Sequence, residues 1–144
     1  MMVAVTGGKA WQREMASSIG CYMMKQLLPR IRTCDVQIRL KDLASEGVDG
    51  YCHEVANRVF VIEVDKNMKM MDFVKTLCHE FVHVKQYVKR EMVDYFDRKT
   101  ISRKIRWKKT VYGYGTAYDR MPWEKEAFRL QEIYTQKVFD EGII

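Results

Sequence analysis

One amphipathic segment near the middle of the chain constrains the fold more than any other feature. Apolar residues recur through this segment at helical spacing, at Phe73, Val74, Leu77, Phe81, Val84 and Val88. This spacing predicts a long helix that is capped by Asn67 or Asp72 and runs to about Glu91. Because its apolar stripe must be buried, the rest of the chain has to supply a sheet or further helices that cover it.

Two more helices are predicted, one near each end of the chain. The first runs from about Lys9 to Leu28 and is closed by Pro29, since a residue before proline rarely continues a helix. The last begins near Pro122, which suits the first turn of a helix. Its core-facing stripe consists of Trp123, Ala127, Leu130, Tyr134 and Val138.

Three segments favour β-strands. Residues Val36 to Leu40 alternate apolar and polar side chains, and a second strand can begin at Tyr51, after a turn-forming stretch. Residues Arg58 to Asp65 are rich in β-branched side chains and bounded by turn formers. We predict a small twisted, mostly antiparallel sheet arranged as a meander. With 144 residues and 47% apolar residues, the chain is expected to form a single α+β domain over residues 1–144.

Charge, cysteine content and hydropathy bear on the partners and the cellular location of the protein. The net charge of +6 favours acidic partners without identifying them. The four cysteines include no Cys-x-x-Cys pair and are expected to be reduced thiols. No apolar run has the length of a signal peptide or of a membrane span. We therefore expect a cytoplasmic protein that is neither secreted nor inserted in a membrane.

The central helix carries the sequence His79-Glu80-Phe81-Val82-His83. Histidines four residues apart lie on one face of a helix, so both imidazoles can reach one zinc ion (Zn²⁺). Glu80 can approach a water molecule on that metal, take its proton as a general base, and pass it to a leaving amine. Zinc lowers the pKa of such a water and polarises a scissile carbonyl. The motif therefore predicts a zinc-dependent peptidase.

A catalytic zinc site usually has three protein ligands, and the only other histidine, His53, lies upstream on a predicted strand, so the downstream carboxylates are the candidates for the third. No histidine follows His83 in the sequence, which excludes a third histidine downstream. Glu91 lies two turns further along the same helix, too far to share the metal. The best source is the segment Pro122 to Phe128, because a carboxylate in the first turn of a packed helix is held rigidly. Both Glu124 and Glu126 lie in it.

The order His-Glu-x-x-His on one helix and Glu-x-Glu-Ala at the start of the next resembles the compact glutamate-ligand zinc peptidases, the gluzincins. The layout is also similar to ImmA/IrrE-like peptidases and to small SprT-like proteins, including viral or phage-encoded ones. The resemblance implies a zincin-like domain in which the C-terminal helix carries the third ligand. It also implies metal ligands His79, His83 and Glu124, with Glu80 as the catalytic residue.

This chain departs from the gluzincin pattern at one position. Those peptidases usually place Asp or Asn four residues after the ligand to brace a zinc histidine, whereas this chain has Phe128. Two other carboxylates remain candidates for the third ligand. Glu126 would point to nearly the opposite face of the helix, where a salt bridge suits it. Asp119 follows Gly115 and Thr116 in a motif that resembles aspartate-ligand peptidases, but it stands one residue late.

A peptidase must also hold a protein or peptide substrate. The strand from Arg58 to Asp65 could be the sheet edge that pairs with an extended substrate, or equally a buried central strand. Candidate donors to the developing oxyanion are Tyr112, Tyr114 and Tyr118.

The segment Arg98–Lys109 has seven Lys or Arg residues in twelve positions and is expected to wrap around the surface. Its composition suits nucleic-acid association. The alternative function is therefore a non-catalytic, zinc-stabilised nucleic-acid-binding or adaptor domain that uses this segment.

Overall fold

The computed structural model describes residues 1–144, which form three helices and seven strands. The helices are α1 (Ala10–Leu27), α2 (Met70–Val88) and α3 (Pro122–Asp140). The strands are β1 (Met2–Gly7), β2 (Asp35–Lys41), β3 (Gly50–Ala56), β4 (Val59–Asp65), β5 (Met92–Asp97), β6 (Ser102–Trp107) and β7 (Thr110–Gly113). The predicted α+β class is confirmed.

The first sheet has four strands in the order β1-β2-β4-β3. Strand β2 pairs in parallel with both β1 and β4, and only β3 and β4 form an antiparallel hairpin. The predicted antiparallel meander is therefore wrong for this sheet, which is mixed. Alternating side chains indicate which face of a strand is buried, but they do not determine the direction of its neighbour.

The main core lies between this sheet and the helices α1 and α2. It contains 24 buried residues and includes the whole apolar stripe of α2. Alternate residues of the two central strands enter it, Val36, Ile38 and Leu40 from β2 and Phe60, Ile62 and Val64 from β4. The predicted alternation of β2 is confirmed by this burial. The packing fixes the position of α2 relative to the sheet.

The second sheet is an antiparallel arrangement of β5, β6 and β7. Its small core consists of Met92, Trp107 and Trp123, the last contributed by α3. Residues 98–109 lie mostly at the surface as expected, and they form β6 and the turns that flank it, a strand that was not predicted. The high density of basic residues hides the alternation in which Ile105 and Trp107 face the core.

The N-terminal strand β1 was not apparent from the sequence, because it is short and ends in two glycines. Gly7 at its end has φ +82° and lies against β2, where a Cβ atom would be 2.2 Å from the carbonyl oxygen of Leu40. Only glycine fits this conformation and this approach. No helix in the structure combines the length and apolar character needed to cross a bilayer.

Candidate metal centre

Helix α2 brings the two histidines of the central motif together. The Nε2 atoms of His79 and His83 are 3.2 Å apart, because residues four apart in a helix project from the same face. The side chains are 12% and 10% exposed, so both imidazoles are largely removed from water. This arrangement supplies two nitrogen donors that face a common point.

Helix α3 places Glu124 opposite these nitrogens. Its Oε1 atom lies 2.7 Å from Nε2 of His83 and 3.2 Å from Nε2 of His79. The helix begins at Pro122, and the residues around the glutamate hold it in place. Trp123 is buried in the small core and Ala127 in the main core. Glu124 lies in the first turn of α3 and is held in place because buried side chains precede and follow it.

The two other candidate carboxylates lie elsewhere. The Oε1 atom of Glu126 is 2.8 Å from Nζ of Lys85 and 3.1 Å from Nε2 of Gln86. Asp119 is exposed in a short 3-10 turn, Tyr118–Arg120. Neither lines the cavity at the histidines. The structure thus brings Glu124, but not Glu126 or Asp119, to the two imidazoles.

Glutamine side chains hold the far side of both imidazoles. The Nδ1 atom of His79 is 2.8 Å from Oε1 of Gln131, and that of His83 is 2.7 Å from Oε1 of Gln86. An amide oxygen can only accept, so each Nδ1 carries a hydrogen, and in the neutral imidazole the lone pair on Nε2 is then available to a metal ion. Partners of this kind orient the histidines of metal sites.

Gln131 was not predicted as part of the site, although its position carries a signal. It follows Glu124 by seven residues, two helical turns, and therefore lies on the same face of α3. The bracing that Phe128 cannot provide is supplied one turn later. The Phe128 ring instead packs edge-on against His79, with ring centroids 4.7 Å apart.

The charges of the site are strongly coupled. Burial alone lowers the pKa of His83, but its hydrogen bond with Glu124 and the charges of Glu80 and Glu124 raise that pKa to about 9. Burial alone would raise the pKa of Glu124, yet its hydrogen bonds with His79 and His83 hold it well below its usual range. The site therefore favours a carboxylate that faces a positive charge.

Glu80 lies beside this group and is also buried, at 5% exposure. Burial raises the pKa of its carboxyl group, although the two histidines oppose the shift. Its Oε2 atom has no hydrogen-bond partner, and the same is true of Oε2 of Glu124. Buried polar atoms normally have partners, so these two oxygens indicate a place for a further polar group or ion.

The side chains His79, Glu80 and His83 form a group that can hold a metal ion, with potential ligand atoms within 4.8 Å of one another. The carboxylate of Glu124 suits such an ion better than that of Glu80, because its distances to the two histidine nitrogens are close to those between the ligands of one zinc ion. Ligands at about 2.0–2.1 Å from a tetrahedral zinc lie about 3.3 Å apart, and the three atoms at Nε2, Nε2 and Oε1 are separated by 2.7–3.2 Å. Three electron-pair donors this close repel one another unless a cation or a proton lies among them.

A cavity of about 560 Å³ opens onto this centre. Of the three tyrosines considered as oxyanion donors, only Tyr118 lines it. Tyr112 packs against Trp123, and the hydroxyl of Tyr114 donates to Asp94. Burial, together with the nearby carboxylates of Glu124 and Glu80, raises the pKa of Tyr118. Its hydroxyl therefore keeps its hydrogen and remains a donor.

Strand β3 forms one wall of the cavity through Gly50, Tyr51 and Cys52. It is the outermost strand of the first sheet, so the backbone groups on its free side are open to a partner. Of the two placements considered for residues Arg58 to Asp65, the structure has the buried central strand and not the edge, because β4 lies between β2 and β3. The sheet edge beside the histidines is β3.

Comparison with protein-family models, with curated proteins and with solved structures found no match. Any function assigned to the site therefore depends on its own geometry and chemistry.

Proposed function

We propose that this protein is a zinc-dependent peptidase with a zincin-type site, in which His79, His83 and Glu124 hold the metal and Glu80 is the catalytic residue. The proposal is carried by one observation. Two imidazole nitrogens and one carboxylate oxygen from two different helices converge to within 2.7–3.2 Å, beside a buried glutamate and an open cavity.

The donor set favours zinc among the common metals. Two neutral imidazoles and one carboxylate, with a position left open, are the ligands of a catalytic zinc, whereas calcium and magnesium prefer oxygen ligands. A zinc ion bound there would supply the positive charge that polarises a substrate carbonyl and makes a water molecule more acidic. The glutamine contacts at Nδ1 of both histidines keep their Nε2 lone pairs directed at the ion.

Glu80 would act as the general base and then as the general acid. Its carboxylate takes a proton from the attacking water and then gives it to the amine that leaves when the peptide bond breaks. A carboxyl group whose pKa is raised by burial holds that proton more readily than an exposed one. The unpartnered Oε2 atom is free to accept it.

The cavity walls would hold the substrate. The free edge of β3 can pair with an extended peptide through backbone hydrogen bonds. Tyr118 would donate its hydroxyl hydrogen to the carbonyl oxygen as negative charge develops there. Substrate, water and proton acceptor would then meet in one place.

The variant Glu80→Gln tests this function most simply. The amide cannot accept the proton, so we expect cleavage of fluorogenic casein and of a mixed peptide library to fall by about 10²- to 10⁴-fold. Zinc content and thermal stability should stay close to those of the unchanged protein, because no metal ligand is removed.

Glu14→Gln serves as the matched control, since it changes an exposed glutamate of α1 that forms no salt bridge. It should leave cleavage unchanged. Activity retained by Glu80→Gln, with zinc bound, would contradict the catalytic role. A protein that loses its fold on this change, while the control folds, would indicate a structural zinc centre instead.

A further inference from the structure

The positive charge of the protein is concentrated in the second sheet and the turns around it. Residues 89–114 contain nine Lys or Arg and three Asp or Glu, so this region alone carries the whole net charge of +6. The remaining 118 residues contain sixteen basic and sixteen acidic side chains. The charge therefore belongs to one part of the surface.

Most of these cations have no acidic partner. Arg103 lies 3.5 Å from Asp94, and Lys104 lies 2.8 Å from Asp97. The other seven are exposed and form no salt bridge: Lys89, Arg90, Arg98, Lys99, Arg106, Lys108 and Lys109. Like charges at this density repel one another, and a bound polyanion would relieve that repulsion.

The unpaired cations lie at the two ends of the sheet, and Arg106, the only one within a strand, projects from the face opposite Arg103. At one end the backbone nitrogen of Lys108 donates to the carbonyl oxygen of Glu91, which brings the β6–β7 turn beside Lys89 and Arg90. At the other end Arg98 and Lys99 form the turn between β5 and β6. A six-residue strand separates these ends by about 17–20 Å. This distribution suits an elongated anion.

Two exposed aromatic rings flank an arginine near the β5–β6 turn. In the strand register Phe96 lies opposite Arg103, and Tyr114 follows β7 on the same face. Both rings are 53% exposed. The guanidinium carbon of Arg103 is 6.0 Å from the centroid of the Tyr114 ring. We name Phe96, Arg103 and Tyr114 the aromatic platform; it lies on the sheet face that also carries Ile105 and Tyr112.

We propose that the second sheet binds single-stranded nucleic acid, with phosphates along the unpaired cations and bases stacked on the aromatic platform. Exposed aromatic rings beside a basic turn suit unpaired bases, whereas bases in a duplex are already stacked. An anionic membrane would suit the exposed Ile101 at the turn, but it would leave the cations at the far end unused. The proposal does not depend on peptidase activity.

Fluorescence anisotropy with labelled oligothymidylate and oligouridylate of about 15 nucleotides tests it. We expect both to bind, with affinity falling steeply between about 50 mM and about 200 mM salt. The DNA and RNA arms show whether the sugar matters, and binding by either supports the proposal. Duplex DNA and heparin of similar charge should bind more weakly, because neither presents free bases.

Two variants separate the charge from the stacking. Replacing Lys99, Lys108 and Lys109 by Gln should weaken binding and reduce the slope of log affinity against log salt by about 2. Phe96→Ala with Tyr114→Ala should weaken binding about fivefold or more for each ring, with the salt slope unchanged. The matched control replaces Lys25, Arg30 and Lys137 by Gln, which removes equal charge outside the sheet. It should reproduce neither effect.

Several results would overturn the proposal. They are the absence of oligonucleotide binding at about 50 mM salt, equal affinity for heparin or duplex DNA, and equal losses in the control variant. Binding to phosphatidylserine vesicles that exceeds oligonucleotide binding and is lost in the same variants would assign the surface to a membrane. Thermal unfolding of each variant shows whether it is folded, and single substitutions replace any combination that is not.

Discussion

The two sheets of this protein are covered very differently. The four-stranded sheet shares a core of 24 buried residues with α1 and α2. The three-stranded sheet has a core of three, one of which comes from α3. Because stability grows with the apolar area that is removed from water, the first sheet forms the stable body of the protein and the second is attached to it by few contacts.

The candidate metal centre lies where these two regions meet. Its histidines are on α2, whose apolar stripe belongs to the large core. Glu124 follows Trp123, which belongs to the small core. The imidazoles are therefore held by the stable body, whereas the carboxylate also depends on the weaker region. It further explains how the second sheet can expose so many charges, since few of its side chains are needed for packing.

A matched pair of phenylalanines gives the largest expected difference between the two regions. Phe81 is 1% exposed in the main core, and Phe96 is 53% exposed on the second sheet. Phe81→Ala should lower the free energy of unfolding by about 3–5 kcal/mol. Phe96→Ala should change it by less than about 0.5 kcal/mol. Urea unfolding with a chelator present measures both without a contribution from metal. Similar losses of unfolding free energy in the two variants would contradict the difference between the two sheets.

The glutamates of α3 give the next largest effect. Glu124→Ala should weaken zinc binding by about 100-fold or more. Losing a group that only orients a ligand lowers metal affinity by about 10- to 100-fold, and this change removes the ligand itself. Glu126→Ala should cost less than about tenfold, since this residue contacts Gln86 and not a histidine. Asp119→Ala should have no effect. Competition with a chromophoric chelator gives the three affinities, and equal values for Glu124→Ala and Glu126→Ala would exclude the proposed ligand.

Trp107→Ala should open the second sheet without unfolding the first. The indole is 9% exposed and packs on Trp123 with ring centroids 6.5 Å apart. Its loss should cost the second sheet about 2 kcal/mol. Hydrogen exchange should then show faster exchange of β5, β6 and β7 amides, while β2 and β4 keep their protection. Uniform loss of protection would mean that both sheets unfold as one unit.

Gln131 provides the smallest and most specific effect. Gln131→Ala removes the oxygen that accepts from Nδ1 of His79, and zinc affinity should fall about tenfold. The loss stays at the lower end of the usual range because Phe128 still packs on this imidazole. Gln131→Glu should keep most of the affinity, since a carboxylate also accepts this hydrogen bond. A loss of similar size in both variants would indicate a packing role.

The helices were predictable because their signals are local. The apolar stripe of α2 and the proline that begins α3 lie within single segments, and their main features follow from periodicity and capping. The pairing of β2 with β4 in parallel depends on residues more than twenty positions apart, and alternation within a strand carries no information about it. The second sheet was missed because its exposed basic residues outweigh a short buried face.

In the site, too, the features that depend on local sequence were predictable and those that depend on packing between distant segments were not. His79, Glu80 and His83 form a local motif, and Glu124 was the leading candidate because the segment resembles that of glutamate-ligand peptidases. Gln131 and Gln86 were not predicted, because a glutamine becomes recognisable as a histidine partner only when the neighbouring helix is in place. Sequence reasoning can thus propose ligands, while the groups that orient them depend on how α2 and α3 pack.

Anomalous diffraction at the zinc edge, from crystals grown with zinc, tests the proposed metal centre. We expect one strong peak for a zinc ion bound by Nε2 of His79, Nε2 of His83 and a carboxylate oxygen of Glu124, with Gln131 and Gln86 still on the opposite nitrogens. No peak at the histidines, or a peak whose carboxylate ligand is Glu126 or Asp119, would contradict it.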